Sequence, residues 1–206
     1  MIRSEIEDLT KQLGAFITDE ASILVAQFLI AENVKLTITK KRKTKLGDYR
    51  PPHGRVAYHR ISINGDLNPA MFLLVLIHEF AHLIVYKEHK RNVKPHGEDW
   101  KREYRQLYTQ YSNCFPESVQ PIITDHLSKL KATTCNDPYL TRHLMHMDSD
   151  EEIQLLNELQ PGDSFEANGR IFQLLKKRRT RFLCMEKHSK KNYLVSGSAV
   201  VNRLNK

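Results

Sequence analysis

Apolar positions along the chain change period several times, and each change marks an element. Ile6, Leu9 and Leu13 recur at helical steps behind Ser4 and Glu7, which read as a capping box, so a short helix opens the chain and Gly14 weakens its end. Thr18 followed by Asp19 and Glu20 predicts a second helix start, with Ala21, Leu24, Val25, Phe28 and Leu29 on one face. From Val34 the period falls to two. Val34, Leu36 and Ile38 alternate with polar neighbours, and Tyr58 to Ile63 repeats the pattern with Ile61 and Ile63 pointing one way. The connection between these strands is basic and contains Gly and Pro, so the pair is expected to form a long, irregular hairpin.

Asn68-Pro69 combines an N-cap residue with proline at the first helical position, and predicts a helix running to about Tyr86. This helix is apolar nearly all round. It belongs in the middle of a domain, where its few polar side chains must face one another, a cavity or an ion. Its apolar run, Ala70 to Ile77, is interrupted by His78 and Glu79 and falls well short of the roughly 20 residues that span a bilayer. After a polar loop from Lys87 to Gly97, the stripe Trp100, Tyr104, Leu107, Tyr108 and Tyr111 predicts a helix facing the core. Pro116, Pro121 and Pro138 break the next stretch, and Ser149 with Asp150, Glu151 and Glu152 predicts one more helix before Pro161-Gly162. Short strands follow, with an Asn168-Gly169 turn signal and apolar Phe165, Ile171, Phe172, Phe182, Tyr193 and Val195 expected to hold the hairpins. The predicted organisation is therefore a larger domain over 1–160 and a small antiparallel β unit over 161–206.

Composition changes this picture in two respects. The 206 residues are 40% hydrophobic, enough to bury a core without staples. The three cysteines, Cys114, Cys135 and Cys184, form no C-x-x-C pair, which excludes a disulfide framework and a thiolate zinc cluster. With no secretory signal pattern at the start of this sequence, a soluble, cytoplasmic, monomeric protein without a membrane role is expected. The net charge of +8 comes with two basic blocks. One runs from Lys35 to Arg60, with Lys40, Lys41, Arg42, Lys43 and Lys45 at its centre and Lys35, Arg50, Arg55 and Arg60 around them, and the other contains Lys176, Lys177, Arg178, Arg179 and Arg181. Both are candidates for contact with the phosphates of DNA.

The chemistry lies in the buried helix, where His78-Glu79-Phe80-Ala81-His82 reads H-E-x-x-H. Four residues advance a helix by about 400°, so the two imidazoles sit one turn apart and can share an ion, while Glu79 can reach a water on that ion without ligating it. Neutral imidazoles and an open coordination position suit Zn2+, and a carboxylate beside the water can act as general base. A third ligand must come from downstream. The metzincin spacing fails, because Val85 stands where glycine is needed and Glu88 where the third histidine is needed, and His89 is one residue off that frame. His96, in Pro95-His96-Gly97, and Glu103, the thermolysin-like option, remain. His143 and His146, near Cys135 and Asp137, share no regular ligand spacing and read as surface or packing residues.

Ile61-Ser62-Ile63-Asn64, the helix from Val75 to His82 and Pro95-His96-Gly97-Glu98-Asp99-Trp100 together resemble the SprT-like family of zinc metallopeptidases, which includes the Spartan proteases that degrade proteins crosslinked to DNA. The resemblance covers roughly residues 20–112. It implies an α+β fold with a mainly helical, zincin-like metallopeptidase core, one Zn2+ per chain on His78, His82 and His96, and Glu79 as the catalytic base. The implied substrates are proteins or peptides, including DNA-associated ones. The family's C-terminal zinc ribbon is matched only in strand pattern, since Cys184 alone lies in the β unit and no second zinc is expected. The intact Glu79 favours catalysis. A nucleic-acid-binding protein with a structural or vestigial metal site is the alternative, and an amidase of small substrates a third.

Overall fold

The computed structural model describes residues 2–42, 45–90, 93–130, 140, 144, 154–178, 181–197 and 199–204, and the chain forms two compact units, 1–132 and 133–206. Both expected classes of element are present, and the fold is α+β. The helix expected from Ser149, together with Cys135, Asp137, His143 and His146, lies outside the described residues.

In the first unit, helices α1 (Ile2–Leu13) and α2 (Asp19–Ala31) precede a three-stranded sheet of β1 (Val34–Thr39), β2 (Gly47–Arg50) and β3 (His59–Asn64). Helices α3 (Pro69–His89), α4 (Glu98–Tyr111) and α5 (Gln120–Ser128) follow. α1 begins two residues ahead of Ser4, so Ser4 lies in its first turn and is not its cap. Thr18 does cap α2, its side chain accepting from Ala21 N–H at 3.4 Å, and Asn68 caps α3 by accepting from Met71 N–H at 2.9 Å.

The expected hairpin is not formed. β1 pairs with β3 in parallel, Leu36 opposite Ile61, and the sheet order is β1-β3-β2. Parallel strands need a long crossover, and the connection between β1 and β3 is long enough to supply one. Part of that connection is β2, which pairs antiparallel on the far side of β3 with Tyr49 opposite Ile61.

The core gathers around α3, where Phe72, Leu76, Ile77, Phe80 and Leu83 are fully buried. Each large apolar side chain so buried contributes about 1.5–3 kcal/mol. α2 meets α3 through stacked Phe28 and Phe80, centroids 3.9 Å apart, and α4 meets it through Trp100 and Tyr104, whose hydroxyl donates to Leu74 O at 3.4 Å. α3 is the only described helix long and apolar enough to cross a membrane, yet 78% of its most apolar window is buried inside the fold. It is a core helix, as its uniform apolarity predicts.

The second unit carries a five-stranded antiparallel sheet in the order β7-β6-β5-β4-β8, formed by β4 (Ser164–Ala167), β5 (Arg170–Lys177), β6 (Arg181–Glu186), β7 (Asn192–Ser196) and β8 (Asn202–Leu204). Leu156 and Leu159 pack into its core, so this unit takes in chain ahead of the 160/161 boundary. Phe165, Phe172, Leu174, Phe182 and Cys184 fill the rest. Ile171, expected to face inward, is 44% exposed, because alternation along β5 puts Phe172 and Leu174 on the core face and Ile171 on the other.

Candidate metal centre

α3 and the turn before α4 build one cluster. His78 and His82 lie one helical turn apart, and His96 reaches them from a short return loop. Lys94 O accepts from Gly97 N–H at 2.9 Å, closing a turn around Pro95 and His96. His96 has φ +57°, in the left-handed region, and proline followed by such a residue is the type II pattern, with histidine where glycine or asparagine is usual. Gly97 then caps α4, and a Cβ there would approach Lys94 O to 2.9 Å.

The three imidazoles converge edge on. His96 Nε2 lies 3.0 Å from His82 Nε2 and 3.2 Å from His78 Nε2, and the three ligand atoms all fall within 4.8 Å of one another. Zinc bonds of about 2.0–2.1 Å in a tetrahedron separate their nitrogens by roughly 3.3 Å, so the donor set fits one such ion. Burial favours the neutral form of all three, the form in which imidazole binds a metal. It holds the pKa of His78 well below the ordinary value, brings that of His82 down to about 4, and lowers that of His96. His78 Nδ1 is buried with no hydrogen-bond partner among the described residues.

Trp100 stands against all three rings, with centroids 4.6 Å from His78, 5.5 Å from His82 and 4.7 Å from His96, and its indole N–H donates to His78 O at 3.4 Å. The sequence marks Trp100 only as core. Its place four residues after His96, one turn into α4, is the signal that the ring would return to the histidines.

Glu79 is buried against the edge strand. Burial first, and then the Asp48 charge, push its pKa up to about 8, while a hydrogen bond from Tyr49 N–H and the positive charges of Arg42 and Lys45 act the other way. Gly47 makes this contact possible, since a Cβ there would lie 2.5 Å from Glu79 Oε1 and 2.8 Å from Val75 Cγ1. Gly47 and the backbone of Tyr49 are site features that sequence reasoning misses. The segment Gly-Asp-Tyr-Arg has no apolar alternation to announce a strand.

Glu103, the rival third ligand, is buried on α4 but accepts from Arg102 Nε at 2.9 Å and is not part of the histidine group. His89 closes α3 beside Glu88 and Asp99, also outside the group.

The basic residues are placed unequally. Lys40 is exposed, Lys41 pairs with Asp66 at 3.3 Å and Lys45 with Asp48 at 2.6 Å. Arg42 is held in a network, donating to Asn64 Oδ1 at 2.7 Å, Ser62 Oγ at 2.9 Å and both Leu46 O and Ser62 O at 3.1 Å. These bonds tie the connection ahead of Gly47 to β3. Lys176, Lys177, Arg178 and Arg181 are exposed around the β5–β6 turn. Lys43 and Arg179 lie outside the described residues.

Fold and cluster together define an α+β protein whose first unit gathers three histidines able to hold one metal ion. The SprT-like family profile matches residues 6–124, more than half of the chain, and the chain belongs to that family. No curated protein and no solved structure shows significant similarity to it.

Proposed function

We propose that the chain is a zinc-dependent metallopeptidase, with one Zn2+ held by His78, His82 and His96 in a zincin-like core. The observation that carries this reading is the convergence of three imidazoles, two of them on the helix that also carries buried Glu79. Zinc bound there would polarise a substrate carbonyl and acidify a water. The chain's own residues do the rest. In its ionised form Glu79 accepts a proton from the attacking water and delivers it to the leaving nitrogen, Tyr49 N–H orients its carboxylate, and Trp100 fixes the imidazoles by packing. Proteins associated with or crosslinked to DNA are the substrate class that the resemblance favours, in the cytoplasm.

Glu79→Gln tests the chemistry. It should keep zinc and folding but slow hydrolysis of an unfolded protein such as casein by about 10²–10⁴-fold, the contribution of a general base. Unchanged hydrolysis would exclude the mechanism. The exposed cations Lys176, Lys177, Arg178 and Arg181 support a second reading, a nucleic-acid-binding protein with a structural metal site. That reading requires wild type and Glu79→Gln to be equally inactive.

A further inference from the structure

The outward face of the first sheet forms a hollow of about 490 Å³, lined by five cationic side chains and one carboxylate. Strand register explains the concentration. Lys35 of β1 pairs with Arg60 of β3, and Arg60 pairs with Arg50 of β2, so three cations stand in one row on the face opposite buried Ile61 and Ile63. Neighbouring strands lie about 4.8 Å apart, so the row spans roughly 10 Å. The next row, Thr37, Ser62 and Asp48, adds two hydroxyls.

Much of this charge is already engaged. Lys45 and Arg50 both pair with Asp48, at 2.6 and 2.8 Å, and Arg42 is held in its network. Lys35 and Arg60 are different, because neither has a carboxylate within ion-pair distance among the described residues. The Arg60 guanidinium reaches only Pro51 O, at 3.5 Å, and its Nε is buried without an acceptor. Lys35 lies 5.9 Å from the centre of the Tyr58 ring, which also lines the hollow.

We infer that this sheet face is a binding platform for single-stranded nucleic acid, with Lys35 and Arg60 on the phosphates and Tyr58 against a base. A guanidinium with no carboxylate partner matches phosphate oxygens, and a row of cations beside an aromatic ring is the arrangement that tracks a single strand. A duplex keeps its bases stacked inside and cannot offer one to Tyr58. Lys35 and Arg60 stand at the two ends of the first basic block, and strand register brings them side by side; the inference stands apart from the metal centre and its chemistry.

Fluorescence anisotropy of the full chain with a fluorescein-labelled oligothymidylate, across a salt series, tests it. Lys35→Glu with Arg60→Gln should weaken binding at least tenfold, and the log–log salt slope should become shallower by about 1.4, from two phosphate contacts at about 0.7 each. Lys35→Glu alone, an exposed position, should give half of that slope change and serves if the double variant does not fold. Tyr58→Ala should weaken binding severalfold and leave the slope unchanged. Unchanged affinity in Lys35→Glu would overturn the proposal, as would a slope governed instead by Lys40→Glu with Lys41→Glu. Equal binding of a duplex of the same length, or equal competition by polyglutamate, would also overturn it.

Discussion

Two glutamates, one in each unit, are driven in opposite directions by their surroundings. Glu186 ends β6, where the Ser189 side chain and then the Ser189 and His188 N–H groups pull its pKa down to about 2. Glu79 lies under the edge strand of the other sheet, where burial pushes its pKa up to about 8. The β unit thus satisfies its acid from its own turn, over an apolar core that includes the free thiol of Cys184. The first unit assembles three imidazoles able to hold an ion and leaves His78 Nδ1 buried without a hydrogen bond. One unit satisfies its acid as folded. The other is left incomplete, with three histidines able to hold a metal ion gathered at a local backbone cost, His96 being at positive φ.

The largest expected effect concerns that incompleteness. His96→Ala should lose most of the zinc from purified protein, measured by elemental analysis, whereas Glu103→Ala should retain about one ion per chain. Glu103 engages Arg102, so the glutamate variant loses that contact and not a ligand. Opposite results would transfer the third ligand to Glu103 and break the comparison, since the positive φ at His96 would then have no role.

Gly47→Ala comes next. The added methyl meets Glu79 Oε1 at 2.5 Å and Val75 Cγ1 at 2.8 Å, so the strand or the carboxylate must move. Overpacking of this kind costs about 1–3 kcal/mol. Casein hydrolysis should fall at least tenfold while zinc content stays near one. Full activity with an unchanged melting temperature would show that β2 does not position Glu79.

What the sequence made legible follows from these same residues. Long, uniform signals carried through: the Asn68-Pro69 start and apolar run gave α3, and H-E-x-x-H on that helix placed two imidazoles on one line. His96 was reachable only by weighing a turn against Glu103, until the resemblance favoured it. Pairing was not legible, because period-two alternation marks a strand but says nothing of its neighbour, and β1 and β3 turned out parallel. β2 escaped notice for lack of apolar residues, although its Gly47 and Tyr49 backbone cover Glu79. Charge runs misled in part. Arg42 reads as a free cation in sequence but is held by hydrogen bonds to Leu46, Ser62 and Asn64, and the uncompensated cations Lys35 and Arg60, at opposite ends of the first basic block, meet only through strand register.

Acidity distinguishes the two units more finely. In metal-stripped protein, the three histidines have folded pKa values below the ordinary 6.5, with His82 near 4, so the unfolded chain takes up protons first and stability falls as pH drops from 6.5 towards 4. Glu79 has a folded pKa raised from 4.5 to about 8, so the folded state keeps a proton that the unfolded chain has lost, and stability falls as pH rises across that window. Below 6.5 the three histidines outweigh the one acid, and above it the acid acts alone. The melting temperature of the first unit should therefore peak near pH 6.5, and Glu79→Gln should flatten its alkaline limb. The β unit behaves otherwise: Glu186, with its pKa lowered from 4.5 to about 2, adds stability that is present above 4.5 and lost as pH falls through 2. A melting temperature of the stripped wild type that climbs from pH 6.5 to 8 would break this assignment.

The smallest effect should come from Cys184, and it tests the claim that the β unit is complete without metal. Cys184 is fully buried, its thiol pKa is raised to about 11 by burial, and its Sγ lies 3.7 Å from Phe182 O. A thiol so protonated is a poor metal ligand, because zinc binds the thiolate, and no partner cysteine lies in this unit's described residues. It acts as a small apolar side chain among Phe165, Phe172 and Phe182. Cys184→Ala should consequently cost on the order of 1 kcal/mol, typical of a modest core truncation, and leave zinc at one per chain. Two zincs in the wild type, falling to one in the variant, would mean that the sheet is held by a metal after all. The contrast between a self-sufficient unit and one arranged around an ion would then fail, because both units would depend on metal.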